Sequence, residues 1–326
     1  MTLPELHLAD WRPTKDTLHL YCQIVGKLRL ATTPPRNHWW NAPLYVDVRG
    51  LTTRRLHHED TTFQIDFDFV DHSLVVRTHD GRTRSFSLAG GVSVADFDAR
   101  LHETLSELGV DMAIKEEPFG LPMTTPFPED REHTSWDRDA IERFGGILDW
   151  TDGVFDEFSG WFSGKTSPVH LFWHSFDLAV TRFSGRPAPA LAADAVTRET
   201  YSHEVISFGF WPGDDRVQDA AYYSYTAPEP DGLRDQPLPA GDWVESGSGS
   251  LAILPYDLVR TARDPRATLL AFMQGAYEAG ARLARWDTSA FASKWCPTPG
   301  QLHELQATAA YELGRPADGA ASATRR

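Results

Sequence analysis

The sequence predicts an α+β protein made of two related units, each with the order helix, strand, strand, strand, helix. Apolar residues recur at helical spacing near the start of each unit, and period-two alternation marks the strands that follow. The predicted units span 1–117 and 136–290, and a Pro-rich linker over 118–135 joins them. Beyond the second unit, 291–326 is expected to form a short helix and a disordered tail.

In the first unit, Asp16 is predicted to cap a helix that runs to the Pro34-Pro35 pair. A strand is expected over 44–49. A second strand follows over 63–69, where apolar and polar residues alternate. An Asp80-Gly81 turn then predicts a hairpin, and Ser93 is predicted to cap the closing helix.

In the second unit, one or two helices are predicted to end at Gly164-Lys165. The run GKTSPVHLFWHSFDLAVTRFSGR, residues 164–186, follows, and we interpret it as one long strand. Further strands are expected over 201–213, 221–225 and 250–254. Asp264 with Pro265 predicts the N-terminus of the last long helix.

Matching residues suggest that the two units arose by internal duplication. Gly26-Lys27 resembles Gly164-Lys165, and Arg49 and Arg182 each follow a tryptophan, Trp40 or Trp173, by nine residues. Ile65-x-Phe67-x-Phe69 resembles Ile206-x-Phe208-x-Phe210. One feature opposes this match: the positions that alternate after Trp40 are apolar, whereas those after Trp173 are small or polar.

Composition excludes several classes of function. With 31 basic and 46 acidic residues, the net charge of -15 disfavours binding to nucleic acid or to anionic membranes. No signal peptide or membrane-spanning stretch is apparent. The two cysteines, Cys22 and Cys296, are far apart, so a disulfide scaffold is not expected and a reducing cytoplasm fits. Oligomeric state is not readable from the sequence.

Five segments together resemble an uncharacterised bacterial family that is known only as a domain of unknown function. These segments are NHWW, RGLTT, FQIDFDFVDH, SPVHLFWHSFDLAVTRFSGR and YSHEVISFGFWPG. The resemblance covers roughly 16–290. It implies no activity, so every functional candidate below comes from the residues themselves.

Histidines near the starts of predicted core strands form the first candidate site. His38, His170 and His203 are candidate metal ligands, and imidazole with carboxylate suits Zn or non-haem Fe. Catalysis is assigned to His203 and His174 as acid and base, with Glu204 orienting an imidazole. The alternative is that each histidine is an ordinary core or surface residue, since no metal motif such as HExxH is present.

Arginines and tryptophans form the second candidate site. Arg182 and Arg186 are predicted to bind the carboxylate or phosphate of a small ligand through bidentate hydrogen bonds. Asp177 is the alternative partner of Arg182, in a buried ion pair without function. Trp40, Trp173 and Trp211 are candidates for an aromatic wall of the same pocket, or for plain core filling.

Two other motifs are rejected. Gly164-Lys165-Thr166 resembles the end of a phosphate-binding loop, but position 159 is Ser where glycine is required. No GxSxG elbow supports a serine hydrolase.

The sequence therefore predicts an enzyme with a histidine-rich pocket that acts on a small anionic substrate with or without a divalent metal. The alternatives are a non-catalytic module that binds a small molecule, and a structural scaffold.

Overall fold

The computed structural model describes residues 2–189, 193–215, 217–247 and 249–293 and has an α+β fold, as predicted. The helices are α1 (Leu8–Thr32), α2 (Val94–Glu107), α3 (Arg138–Gly160), α4 (Ala195–Thr200), α5 (Tyr256–Arg260), α6 (Pro265–Leu283) and α7 (Thr288–Phe291). The first six strands are β1 (Tyr45–Asp47), β2 (Gly50–Thr52), β3 (Leu56–His58), β4 (Thr61–Asp68), β5 (Ser73–Thr78) and β6 (Thr83–Ser87). The other six are β7 (His170–Phe172), β8 (Asp177–Pro187), β9 (His203–Trp211), β10 (Ala221–Ala227), β11 (Asp242–Ser246) and β12 (Gly249–Pro255).

The first sheet is antiparallel with the strand order β1-β2-β4-β5-β6, and β3 also pairs with β4. Its central strand β4 confirms the predicted alternation, because Phe63, Ile65 and Phe67 are buried. The intervening Asp66 forms an ion pair with Arg77 across the pair β4 and β5. Apolar side chains on one face and charges on the other are typical of an antiparallel sheet with one covered face.

The second sheet is also antiparallel, with the order β11-β12-β10-β9-β8-β7. Helices α3 and α6 pack on one face, where Val180, Phe208 and Tyr222 are buried. The opposite face is also largely buried and carries a hydrogen bond between the Thr181 and Ser207 hydroxyls, 2.9 Å apart. Burial on both faces explains why β8 lacks a simple apolar alternation.

Within the described residues, one backbone bridge joins the two sheets. Leu44 and Leu171, beside β1 and in β7, exchange N–H to carbonyl hydrogen bonds of 2.9 and 2.8 Å. Buried apolar residues from both halves form one continuous core. The core therefore runs through the chain from α1 to α6.

Each half has a long helix, an antiparallel sheet and a closing helix, but the strands of the second sheet depart from sequence order because β12 lies between β10 and β11. Only part of the predicted residue match fits this topology. Ile65 and Ile206 lie on corresponding central strands, β4 and β9. Gly26 lies inside α1, whereas Gly164 follows the end of α3. Arg49 precedes β2, whereas Arg182 lies within β8. The internal duplication therefore stays a prediction.

The segment 164–186 is not one long strand, and this prediction was wrong. β7 and β8 form a tight hairpin in which Phe172 pairs with Asp177. Phe176 makes the turn with a φ of 62°, and its N–H donates to the carbonyl of Phe172 over 2.7 Å. A left-handed residue is usually glycine or asparagine, so nothing in this sequence marks the turn.

Helix caps were predicted correctly at two of the three named positions. The side chains of Ser93 and Asp264 accept hydrogen bonds from the backbone N–H of Asp96 and Ala267. Asp16 is not a cap, because α1 begins at Leu8 and continues through Pro13. Pro13 cannot donate to the carbonyl of Ala9, and Ala9 lies at the surface, where water can take that role.

The segment predicted as a linker, 118–135, packs closely against α1 and α2. The amide of Gln23 makes two hydrogen bonds, of 2.8 and 2.7 Å, with the backbone of Phe119. Phe127 is fully buried, and the carbonyl of Asp130 accepts from the N–H of Ala95. The domain boundaries named above stay a prediction.

Parts of two predictions lie outside the described residues. Of 291–326, only the end of α7 and two further residues are described, and Cys296 lies beyond them. Cys22 is a buried free thiol. Among the described helices, none combines the length and the apolar character that a bilayer crossing requires.

Candidate functional site

Arg182 is a buried cation with no carboxylate partner among the described residues. It is only 2% exposed, and it makes no ion pair with a described Asp or Glu, Asp177 included. Its Nη2 donates to the carbonyl of Phe158 over 2.5 Å. The guanidinium carbon lies 3.5 Å from the ring centre of Phe158 and 4.5 Å from that of Tyr277. The side chain is thus held by rings and one carbonyl, not by a counter-ion.

Arg182 lines an open cleft of about 990 Å³, which we call the arginine cleft. Its walls come from the end of α3, from α6 and α7, and from the segment before β11. The lining residues are Trp161, Phe162, Arg182, Pro237, Pro239, Gln274, Gly275, Tyr277, Glu278, Ala279, Arg282, Trp286, Thr288, Phe291 and Ala292. The volume suits a small organic molecule, and the aromatic walls with a few polar groups are typical of ligand pockets.

Two buried donors in this cleft lack hydrogen-bond partners. In the described part of the chain, five buried side-chain nitrogen or oxygen atoms have no partner, and Nε of Arg182 and Nε1 of Trp286 are among them. Trp286 also lines a smaller cavity of about 190 Å³. An unpaired buried donor costs about 1 to 3 kcal/mol. Two such donors at one cleft are therefore a reason to look for an acceptor.

Burial sets the protonation of this site. Desolvation lowers the pKa of Arg182 to about 9, and Tyr277 opposes the shift. Burial also raises the pKa of the Tyr277 hydroxyl, which Arg182 opposes. At neutral pH, Arg182 is therefore a cation and Tyr277 a neutral hydroxyl. An anion that entered the cleft would relieve the cost of burying this positive charge.

A second cluster lies at the other face of β8, around His38, and we call it the His38 cluster. The Nζ atom of Lys165 lies 2.7 Å from Nε2 of His38. The His38 ring contacts Phe183, with centroids 4.5 Å apart, and the edge of His203 at 5.5 Å. Lys165 also lies 5.2 Å from the ring of Trp40. The structure therefore brings together three of the predicted site residues, His38, His203 and Trp40.

Burial lowers the pKa of both His38 and Lys165. For His38 the largest cause is desolvation, followed by the positive charge of Lys165. For Lys165 desolvation is again first, and the Glu199 carboxylate opposes it. Sequence reasoning missed Lys165, because it was considered only as part of a phosphate-binding loop.

The family profile described as "Family of unknown function (DUF5996)" matches residues 3–293. The chain belongs to this family. No curated protein and no solved structure matches it.

In this DUF5996 chain, Arg186 and Glu204 bind each other. Nε and Nη2 of Arg186 donate to one carboxylate oxygen of Glu204 over 3.0 and 2.6 Å. Arg186 also donates to the carbonyls of Ala284 and Arg285, just beyond the end of α6. Arg186 does not line the arginine cleft with Arg182, and Glu204 contacts an arginine where an imidazole was expected.

His170 and His174 of the DUF5996 chain lie apart from the His38 cluster. His170 is buried between Tyr45 and Phe172, and its Nδ1 has no hydrogen-bond partner among the residues that the structure describes. Desolvation lowers its pKa to about 3. His174 contacts Phe119, and burial lowers its pKa. No group of three or more His, Cys, Asp or Glu able to hold a metal occurs within the described ranges. The metal site stays a prediction.

The three predicted tryptophans occupy different places in the DUF5996 fold. Trp173 is buried over Gly26, where an added Cβ would lie 2.2 Å from the indole, and its Nε1 donates to the carbonyl of Ala42. Trp40 belongs to the His38 cluster. Trp211 is half-buried at the end of β9. The tryptophans that do line the arginine cleft, Trp161 and Trp286, had no distinguishing pattern in the sequence.

Proposed function

We propose that this protein binds a small molecule that carries an anionic group on an apolar or aromatic body, in the arginine cleft. The observation that carries the proposal is the unpaired Nε of buried Arg182, without a carboxylate partner among the described residues, at the wall of an aromatic cleft. A guanidinium matches carboxylate and phosphate groups in shape and charge.

The same geometry supports binding more directly than a reaction. None of the predicted catalytic residues, His203, Glu204 and His174, lines the arginine cleft. Arg182 contributes a fixed charge, and the rings around it contribute an apolar surface. An aromatic carboxylate would gain binding energy from both the charge and the apolar surface.

For the compartment, we propose a reducing cytoplasm, which suits the buried free thiol of Cys22.

Thermal unfolding and calorimetric titration with matched probes test the proposal. Benzoate and phenyl phosphate carry the charge, and benzamide is the neutral counterpart of benzoate. We expect benzoate or phenyl phosphate to raise the Tm and benzamide to leave it unchanged, because a ligand that binds the native state stabilises it.

The variant Arg182→Met should abolish the response, because methionine fills the space between the rings without a charge. Arg49→Met is the matched control, since Arg49 lies outside the cleft and pairs with Asp68 and Asp71. Equal responses of wild type and Arg182→Met, or no response of the wild type to either anion, would contradict the proposal.

A further inference from the structure

Lys165 carries an amine in an unusual setting, on the face of β8 opposite the arginine cleft. It is partly exposed, and it makes no ion pair with a carboxylate among the described residues. Its Nζ lies 4.5 Å from the ring centre of Phe183 and 5.2 Å from that of Trp40. The side chain is therefore partly accessible to solvent, and its amine has two aromatic rings beside it.

The hydrogen bonds define the state of His38. A lysine ammonium can only donate, so Nε2 of His38 must accept from Lys165. Nδ1 must then carry the ring proton, and it donates to the carbonyl of Thr200 over 3.2 Å. His38 is thus a neutral imidazole whose basic nitrogen points at the lysine proton.

The loop that carries His38 is held in a strained shape by α4. His38 and Trp39 have φ values of 54° and 60°, a conformation that costs about 1 to 3 kcal/mol for each such residue. The Glu199 carboxylate accepts the N–H of His38 over 2.8 Å, and the carbonyl of Val196 accepts the indole N–H of Trp39 over 3.1 Å. These bonds fix the imidazole against the amine.

From this geometry we infer that Lys165 is a nucleophilic lysine that forms an imine with apolar aldehydes or ketones, and that His38 is its proton acceptor. Nε2 of His38 takes a proton from the ammonium, and the free amine adds to the carbonyl carbon to form the C–N bond. As the C=O double bond opens, the carbonyl oxygen receives that proton from His38 and becomes a hydroxyl. A second proton passes from the nitrogen to this hydroxyl, the C–O bond breaks to release water, and the C=N bond of the protonated imine forms. Trp40, which is partly exposed, provides the surface for the apolar part of the carbonyl compound.

Reductive trapping with benzaldehyde and cyanoborohydride tests this inference. Cyanoborohydride reduces the imine to a stable benzyl adduct, and peptide mass spectrometry compares the lysines within one sample. The chain has five lysines, and exposed Lys115 is the internal reference. At neutral pH we expect Lys165 to react faster than Lys115 by about tenfold or more. A Lys165 rate equal to or below that of Lys115 would overturn the inference.

Variants separate the role of His38 from that of the fold. His38→Asn keeps a residue that tolerates the left-handed backbone but removes the base, so Lys165 labelling should fall to the level of Lys115. Unchanged Lys165 labelling in a folded His38→Asn protein would also overturn the inference. Labelling of Lys165 should persist in Arg182→Met. Failure of the lysine inference is therefore distinguishable from failure of the proposed anion site. If His38→Asn does not fold, the wild-type ratio of Lys165 to Lys115 still decides.

Discussion

Arg49 and Arg182 look equivalent in the sequence, since each follows a tryptophan by nine residues, yet their surroundings are opposite. Arg49 is half-exposed and donates to Asp68 and Asp71 over 2.6 and 2.7 Å. Arg182 is buried and faces aromatic rings, and its Nε has no hydrogen-bond partner in the described part of the chain. The first is an ordinary surface ion pair, and the second is a desolvated cation beside a cleft.

This difference shows what distinguishes a structural arginine from a binding one. A structural arginine has carboxylates of its own chain in contact, which offset its charge. Arg182 has a carbonyl and aromatic rings, and these offset the cost of burial only in part. The two arginines occupy matching positions in the sequence, but their environments are not equivalent.

The largest expected effect is on stability, and it separates the two arginines directly. Arg182→Ala should lower the free energy of unfolding by about 3 kcal/mol, because it leaves a cavity between three rings and removes a charged donor from the carbonyl of Phe158. Arg49→Ala should have a much smaller effect, since exposed ion pairs contribute little. Urea unfolding of both variants measures the two free energies of unfolding. Equal losses of stability would show that the two arginines do not differ in this way.

A pH series sharpens the comparison with another buried residue that has an unpaired nitrogen, His170. Its pKa is about 3 in the folded chain against an ordinary 6.5, through desolvation first and then the charges of Arg29 and Arg54. Between about pH 3 and pH 6.5 the unfolded chain therefore binds more protons than the folded chain. The free energy of unfolding falls as the pH drops below 6.5. His19, also lowered to about 3, adds to the same loss.

His170→Phe should reduce the dependence of unfolding free energy on pH by about one proton, or about 1.4 kcal/mol per pH unit, between about pH 6 and pH 4. Urea unfolding across this range gives the slope. Exposed His79→Gln is the control for the loss of a histidine at the surface. A wild-type slope in His170→Phe would contradict the lowered pKa of His170 in the folded chain.

A smaller effect is expected at the second unpaired donor of the cleft. Trp286→Phe keeps an aromatic side chain but removes the N–H, so benzoate should bind more weakly by about 1 kcal/mol, roughly fivefold. Calorimetric titration measures the affinity, and an unchanged dissociation constant would show that Trp286 does not contact the anion.

The smallest expected change is in the stability of Arg182→Met. Replacing a buried cation by an apolar side chain of similar length removes its desolvation cost, so the variant should unfold at or above the wild-type urea concentration. A loss as large as that of Arg182→Ala would show that the guanidinium itself stabilises the fold. That result would favour a structural role for Arg182.

Much of the fold follows from local sequence patterns. Alternation located β4 and β9, and the side chains of Ser93 and Asp264 located the starts of α2 and α6. These features depend on neighbours in the sequence, which a pattern can show. The hairpin turn at Phe176 was missed because its left-handed residue is aromatic.

The site was less accessible to prediction, because its parts meet only in the folded chain. Arg182 was a candidate from its place in an apolar run, but Tyr277 and Trp286 come from the far end of the second half. The contact between Lys165 and His38 joins residues on opposite sides of the predicted linker. No sequence spacing specifies such contacts.

The most direct test of the anion site is NMR observation of the arginine Nε–H groups during a benzoate titration. The Arg182 signal can be assigned by its absence in Arg182→Met, and Arg49 provides a reference in the same spectrum. We predict that the Arg182 Nε–H signal shifts and saturates with benzoate while that of Arg49 stays in place. An Arg182 signal that does not move at concentrations where benzoate raises the Tm would contradict the account.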